Sequence, residues 1–243
     1  MARLLVINPN TSVAVTELLR SHLKAEAGTA LDVRALTARF GAPYIACEAS
    51  YAVAQHAVLD AWAAAHANGE RPDAVLIGCF GDPGLFALRQ GCGVPVTGLA
   101  EAAFAAAARH GRFAVVTGGE RWRPMLERLA AALGFAPSLA GIHTVAPTGA
   151  QLAADPAGAR ALLAQACRDA AHRFDADAVL LGGAGLAGIA ADIESALAVP
   201  LVDSVIAGAQ WAVQATRDPV SVPAAAGFGV AWQNMSWELE ALG

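Results

Sequence analysis

Residues 73–79, Asp-Ala-Val-Leu-Ile-Gly-Cys, return almost letter for letter at 177–183 as Asp-Ala-Val-Leu-Leu-Gly-Gly. A second pair precedes them: Arg3-Leu-Leu-Val-Ile-Asn8 answers to Arg112-Phe-Ala-Val-Val-Thr117. A third follows, a Val-Pro step at Val94-Pro95 and again at Val199-Pro200. Three landmarks in the same order mark an internal repeat. Its length fits two similar α/β lobes, because solenoid periods are shorter.

The apolar cores of the motifs, Leu4–Ile7, Ala74–Ile77, Phe113–Val116 and Ala178–Leu181, are unbroken runs of Val, Leu, Ile, Ala and Phe, each followed at once by Asn, Gly or Thr. Unbroken runs of this length belong to strands buried on both faces of a parallel sheet. Between them the patterns predict helices at 13–27, 49–68, 99–110, 121–134, 156–173 and 204–217, several with Ser, Thr or Asp near the start. The expected fold is therefore α/β, with two pseudo-symmetric lobes, each a parallel sheet flanked by helices, and an active site in the cleft between them. The first lobe is expected to take residues 1–98 and 205–243, its tail after Ala224 folding back on it, and the second to take 99–204.

Composition narrows the chemistry. The chain has 243 residues, 56% hydrophobic and 15% charged, with a net charge of −5, which describes an ordinary globular protein and argues against nucleic acid as a partner. Its apolar segments are too short to span a bilayer: the opening run stops at Asn8, and the Ala-rich stretch 100–108 is interrupted by Glu101 and Arg109. A cytoplasmic protein is expected, with no membrane partner. The four cysteines, Cys47, Cys79, Cys92 and Cys167, form no Cys-x-x-Cys pair and no His/Cys ligand spacing, so neither a metal site nor a disulfide framework is expected.

In open parallel sheets, ligands bind beyond the carboxyl ends of the strands. The residues at those ends are Asn8, Cys79 with Phe80, Gly81 and Asp82, Thr117 with Gly118 and Gly119, and Gly182 to Gly185, including Gly183 and Ala184. Cys79 ends a strand and precedes a Gly-rich turn and a helix, a setting expected to lower a thiol's pKa. The turn Asn8-Pro9-Asn10-Thr11-Ser12 can cap a helix, and a capped helix start can bind a carboxylate. Asp82 and Asp203 could orient groups at the site, although helix capping explains either one equally well. Gly183-Ala-Gly185-Leu-Ala-Gly188 resembles a dinucleotide fingerprint in letters, but it lies late in the chain, and no Lys-Ser/Thr follows either glycine run. Of the histidines, His22, His56, His66, His110 and His172 are expected on helix surfaces, and His143 could reach the cleft. Phe40, Pro43, Tyr44 and Ile45, in a loop after an expected second strand, are candidates for the pocket wall.

With those residues in place the chain resembles the aspartate/glutamate/hydantoin racemase superfamily, and most of all its hydantoin and allantoin racemase branch. The resemblance rests on Ile7-Asn-Pro-Asn-Thr-Ser12, Gly78-Cys-Phe-Gly-Asp-Pro-Gly84, Val94-Pro-Val-Thr-Gly-Leu-Ala-Glu101 and Val115-Val-Thr117, and it covers essentially the whole chain. It implies a cofactor-independent racemase, commonly a homo-oligomer, acting on a small substrate such as a hydantoin-like ureide or an amino-acid derivative. It also implies two cysteines facing opposite sides of the substrate α-carbon, one removing a proton and the other returning one. Cys79 would be the first cysteine. Asn8 and Thr117 would hold a carboxylate or ring carbonyl, and amides near Gly81 and Ala184 would stabilise the enolate-like oxygen. The second cysteine should stand where this chain has Gly183, which carries no proton. Cys47 or His143 could supply the missing acid. Single-thiol decarboxylation and a non-catalytic binding role are the alternatives, and Gly183→Cys is expected to increase racemisation unless residue 183 has φ > 0.

Overall fold

The computed structural model describes residues 1–217 and 227–243. In the first half, β1 (Ala2–Asn8) leads to α1 (Val13–Ala27), then β2 (Leu31–Thr37), α2 (Glu48–Ala67), β3 (Ala74–Ile77), α3 (Leu85–Gly91) and β4 (Val96–Gly98). Then come α4 (Leu99–Ala108), β5 (Phe113–Gly118), α5 (Trp122–Ala132), β6 (Leu139–Val145), α6 (Gly149–Ala154) and α7 (Pro156–Phe174). The chain continues through β7 (Ala178–Gly182), α8 (Ile189–Ile193), β8 (Leu201–Asp203), α9 (Ser204–Arg217) and α10 (Trp237–Glu240).

The repeat read from the sequence is a repeat of topology. One sheet has the order β2-β1-β3-β4 and the other β6-β5-β7-β8, with every recorded strand pair parallel. In each sheet the order reverses between the first and third strands of the half. That switch point opens a crevice at the strands' carboxyl ends, between Asn8 and Gly78 in one half and between Thr117 and Gly182 in the other.

The unbroken apolar runs have a simple cause. Along β5, Phe113 and Val115 face one hydrophobic cluster while Ala114 and Val116 face another, and Ala178 and Leu180 of β7 part from Val179 and Leu181 in the same way. Successive side chains point to opposite faces, and both faces are covered, so no position is left for a polar residue. The larger cluster also contains β1, β3, α4 and the buried face of α5, so one apolar core joins the two halves. On the surface, Arg128 of α5 donates to Glu48 of α2 at 2.8 and 3.0 Å and ties them again.

The end of the chain returns to the first half. Arg39 donates to both oxygens of Asp60 on α2, at 2.7 and 2.8 Å, and to Glu238 on α10 at 2.8 Å. Phe228 lies against Gly91, where a Cβ would meet its ring. Residues 218–226, with the first part of the tail expected after Ala224, lie outside the described residues. Among the described residues no helix is long and apolar enough to cross a membrane.

Candidate active site

The two switch points meet at one small cavity of about 90 Å³. The first half contributes Asn10, Ser12 and Val15 after β1, Pro43, Tyr44 and Ile45 after β2, and Gly78, Cys79 and Phe80 after β3. The second half contributes Thr117 and Gly118 at the end of β5, Trp122 at the start of α5, and Gly182 to Leu186 after β7.

Glycine lets the walls approach. A Cβ on Gly182 would strike the Phe80 ring, so the ring of the first half reaches the second sheet only because residue 182 has no side chain. Phe80 then meets Phe104 edge-on, with ring centroids 6.1 Å apart. Gly81 does the same for Trp122, whose ring lies where its Cβ would stand, and it has φ +152, which disfavours a side chain. Trp122 in turn meets Tyr51 at 6.4 Å, and the Tyr51 hydroxyl donates to the Gly81 carbonyl at 2.7 Å. The turn that carries Cys79 is thereby clamped between α2 and α5.

Cys79, Phe80, Thr117, Gly118, Gly183 and Ala184 all lie on the cavity wall, whereas Asn8, Gly81 and Asp82 do not. Asn8 is fully buried, and its amide Nδ2 reaches Asn10 Oδ1 at 2.9 Å, the Ser12 carbonyl at 3.1 Å and Thr16 Oγ1 at 3.0 Å. It builds the loop that presents Asn10 and Ser12 instead of touching a ligand itself. Asn10 Oδ1 accepts the Ser12 N–H at 2.9 Å, and Ser12 caps α1 by accepting from the Val15 N–H at 3.4 Å. Gly81 offers its carbonyl to Tyr51 and stands off the cavity wall. Asp82 turns away from the cavity and accepts the Ala100 and Glu101 N–H groups of α4, both at 2.8 Å. Asp203 caps α9 through Val205 N–H at 2.7 Å.

The expected low pKa of Cys79 is corrected by the structure. The α3 helix begins only at Leu85, behind Gly84, so no helix amide compensates the sulfur for lost water. Cys79 is 7% exposed. Burial, and then the charge of Asp82, push its thiol well above the ordinary cysteine range. At neutral pH the sulfur keeps its proton.

Neither candidate for the missing acid lines the cavity. Cys47 sits at the start of α2 within a capping box with Ser50, whose backbone and hydroxyl hold its thiol below the ordinary range. His143 lies on the outer strand β6, and its Nδ1 is buried without a partner. Phe40 is absent from the cavity wall and meets His56 edge-on, with centroids 4.9 Å apart, while Tyr44 reaches across the cavity to the Gly118 carbonyl at 3.5 Å. Gly183 has φ +150 and ψ 128, a region that side chains rarely enter. Its N–H donates to the buried Ser204 hydroxyl at 3.3 Å.

Asn10, Ser12 and Trp122 line the cavity without being legible as site residues in the sequence. The first two stand within a turn that was legible, and alternation along the turn could have found them. For Trp122 no local signal exists, because its place depends on a glycine in the other half. No group of three or more His, Cys, Asp or Glu side chains among the described residues could hold a metal ion.

Known proteins share this arrangement. The profile of the Asp/Glu/Hydantoin racemase family matches residues 4–212. The hydantoin racemase of Pseudomonas sp. (strain NS671) is 33% identical over 208 residues, covering 85% of this chain and 83% of that protein. The allantoin racemase of Klebsiella pneumoniae superposes with a TM-score of 0.84 at 31% identity, over 91% of this chain and 90% of that one. The allantoin racemase of Pseudomonas fluorescens gives 0.85 at 28%, over 90% and 93%. The repeated sheets, the cavity between their strand ends and these relatives agree: the chain belongs to the Asp/Glu/hydantoin racemase family.

Proposed function

We propose that the protein is a cofactor-independent isomerase of the racemase type, with Cys79 as the acid–base group acting at the acidic α-carbon of a hydantoin-like ureide or a related amino-acid derivative. The observation that carries this reading is the Cys79 thiol on the wall of a small cavity built from the strand ends of both sheets. Hydantoin racemase and allantoin racemase relatives support the substrate class.

The Cys79 thiolate takes the α-proton: the C–H bond breaks, an S–H bond forms, and the electron pair moves into the adjacent carbonyl as an enolate. Asn10, Ser12 and Thr117, polar side chains on the cavity wall, are assigned to the substrate's carbonyl and N–H groups, and the Ala184 amide to the enolate oxygen. Return of the proton from sulfur restores the starting configuration, and protonation on the other face inverts it. The high proton affinity of the buried sulfur suits a weak carbon acid, because the thiolate, once formed, is a strong base.

The stretch Gly182 to Leu186, where the repeat puts the counterpart of Cys79, offers no acidic side chain. Exchange on the Cys79 face should therefore outrun inversion, with water protonating the other face. Gly183 also favours a second reading, single-thiol decarboxylation, in which loss of CO₂ leaves the same enolate and Cys79 protonates it on one face. Proton NMR in D₂O separates the two. Loss of the α-proton signal from a 5-substituted hydantoin supports the isomerase, and consumption of a malonate-type acid without exchange of a hydantoin supports the lyase.

A further inference from the structure

Asp82 follows Cys79 by three residues in a turn closed by the Asp82 N–H donating to the Cys79 carbonyl at 3.2 Å. It is 2% exposed, and among the described residues only it, Asp175 and Asn234 are non-glycine residues with positive φ, at +52 for Asp82. Asn and Asp tolerate that conformation better than other side chains. Both carboxylate oxygens are engaged by the second and third residues of α4, and Gly98, just before that helix, has no room for a Cβ against the carboxyl group. Capping a helix needs neither full burial nor a left-handed backbone, and Ser12, Thr148 and Ser236 cap helices here without either.

We propose that Asp82 is a positioning residue for Cys79: it anchors the thiol-bearing turn on α4, which fixes the sulfur on the cavity wall and places a buried carboxylate in the same turn. Among the described residues, Cys79 shares its turn, α4 supplies Glu101, and α2 supplies Tyr51; His56 of α2 and Arg128 of α5 line the same pocket as Asp82. Glu101 is tied to Arg89 and accepts from Thr97 at 2.6 Å, and Arg128 acts on Tyr51 from α5. Burial, the strongest influence, pushes the Asp82 carboxyl up to about 7, against the pull of the Ala100 and Glu101 amides. Its charge therefore changes across the neutral range, and that charge acts on the thiol in the same turn.

The inference rests on the reading of Cys79 as the acid–base group, but its test needs no substrate, so a failed exchange experiment leaves it standing. The test is the pH profile of iodoacetamide alkylation at Cys79, followed by mass spectrometry of the peptide that contains it, in the unaltered chain and in Asp82→Asn and Asp82→Ser. Serine keeps an oxygen for one helix amide, so the two variants remove the charge with different effects on the cap. Circular dichroism reports whether each is folded. The expected result is a Cys79 profile displaced to lower pH by about one unit in a folded variant, a roughly tenfold faster alkylation at fixed pH. A profile that does not move in a folded variant overturns the proposal. Loss of the fold in both variants also overturns it, because Asp82 would then serve the fold alone.

Discussion

Placing a side chain on residue 183 should destabilise the protein whatever that side chain can do chemically. Gly183 sits at φ +150, ψ 128, where a residue with a Cβ costs on the order of 1–3 kcal/mol. The new Cβ would stand 3.2 Å from both Cγ and Cδ1 of Leu186, itself 2% exposed. Leu186 can yield by a few tenths of an ångström, so the backbone sets most of the cost. For a chain of this size about 1 kcal/mol moves Tm by roughly 2–4 °C. Gly183→Ala, which adds strain and no chemistry, should therefore lower Tm by about 2–12 °C in a thermal melt followed by circular dichroism. Gly183→Cys should melt as low, and any inversion it adds would come at that loss. Wild-type melting in both variants would refute the reasoning: the loop would relax to negative φ, and the missing cysteine would be a difference of chemistry without a backbone cause.

Three further outcomes are expected. Cys79→Ser should abolish exchange in a folded protein at a cost of about 1–3 kcal/mol in urea unfolding, because the change conserves shape but buries a hydroxyl and replaces the thiol by a far weaker acid. Exchange surviving in that variant removes Cys79 from the mechanism. In the wild type the exchange rate should climb about tenfold per pH unit above neutrality, because a thiol raised by burial is protonated below its folded pKa and gains its base form only as pH rises. A plateau at neutral pH would contradict this. Asn8→Ala should cost about 2–3 kcal/mol in urea unfolding, because it strips hydrogen bonds from Asn10, Ser12 and Thr16. It should also weaken ligand binding through Asn10, and unchanged stability would refute its place in the loop.

The central strands of both sheets were legible because burial on two faces leaves an unbroken apolar signature, as at Ala74–Ile77. The α1 and α9 helices run over the spans read for them, 13–27 and 204–217. The three-residue strands β4 and β8 are too short to leave a pattern, and the outer strand β6 mixes apolar residues with Gly141 and His143. At the site, the repeat located the strand ends but not the direction of each side chain. Asn8 folds onto its own loop, and the positive φ of Asp82 turns its carboxylate to α4. Neither rotation is written in residue type or spacing. The charge state of Cys79 was misread for a related reason: position after a strand suggests a helix terminus nearby, while burial, which comes from both halves closing together, decides the proton.

The most direct test is the loss of the α-proton signal in D₂O across 5-substituted hydantoins, allantoin, aspartate and glutamate, with optical rotation followed in the same samples. The account predicts exchange of at least one cyclic ureide that depends on Cys79 and runs ahead of the fall in rotation. Rotation falling in step with exchange would mean that a second acid works opposite Cys79, and no exchange in any compound would contradict the proposed chemistry itself.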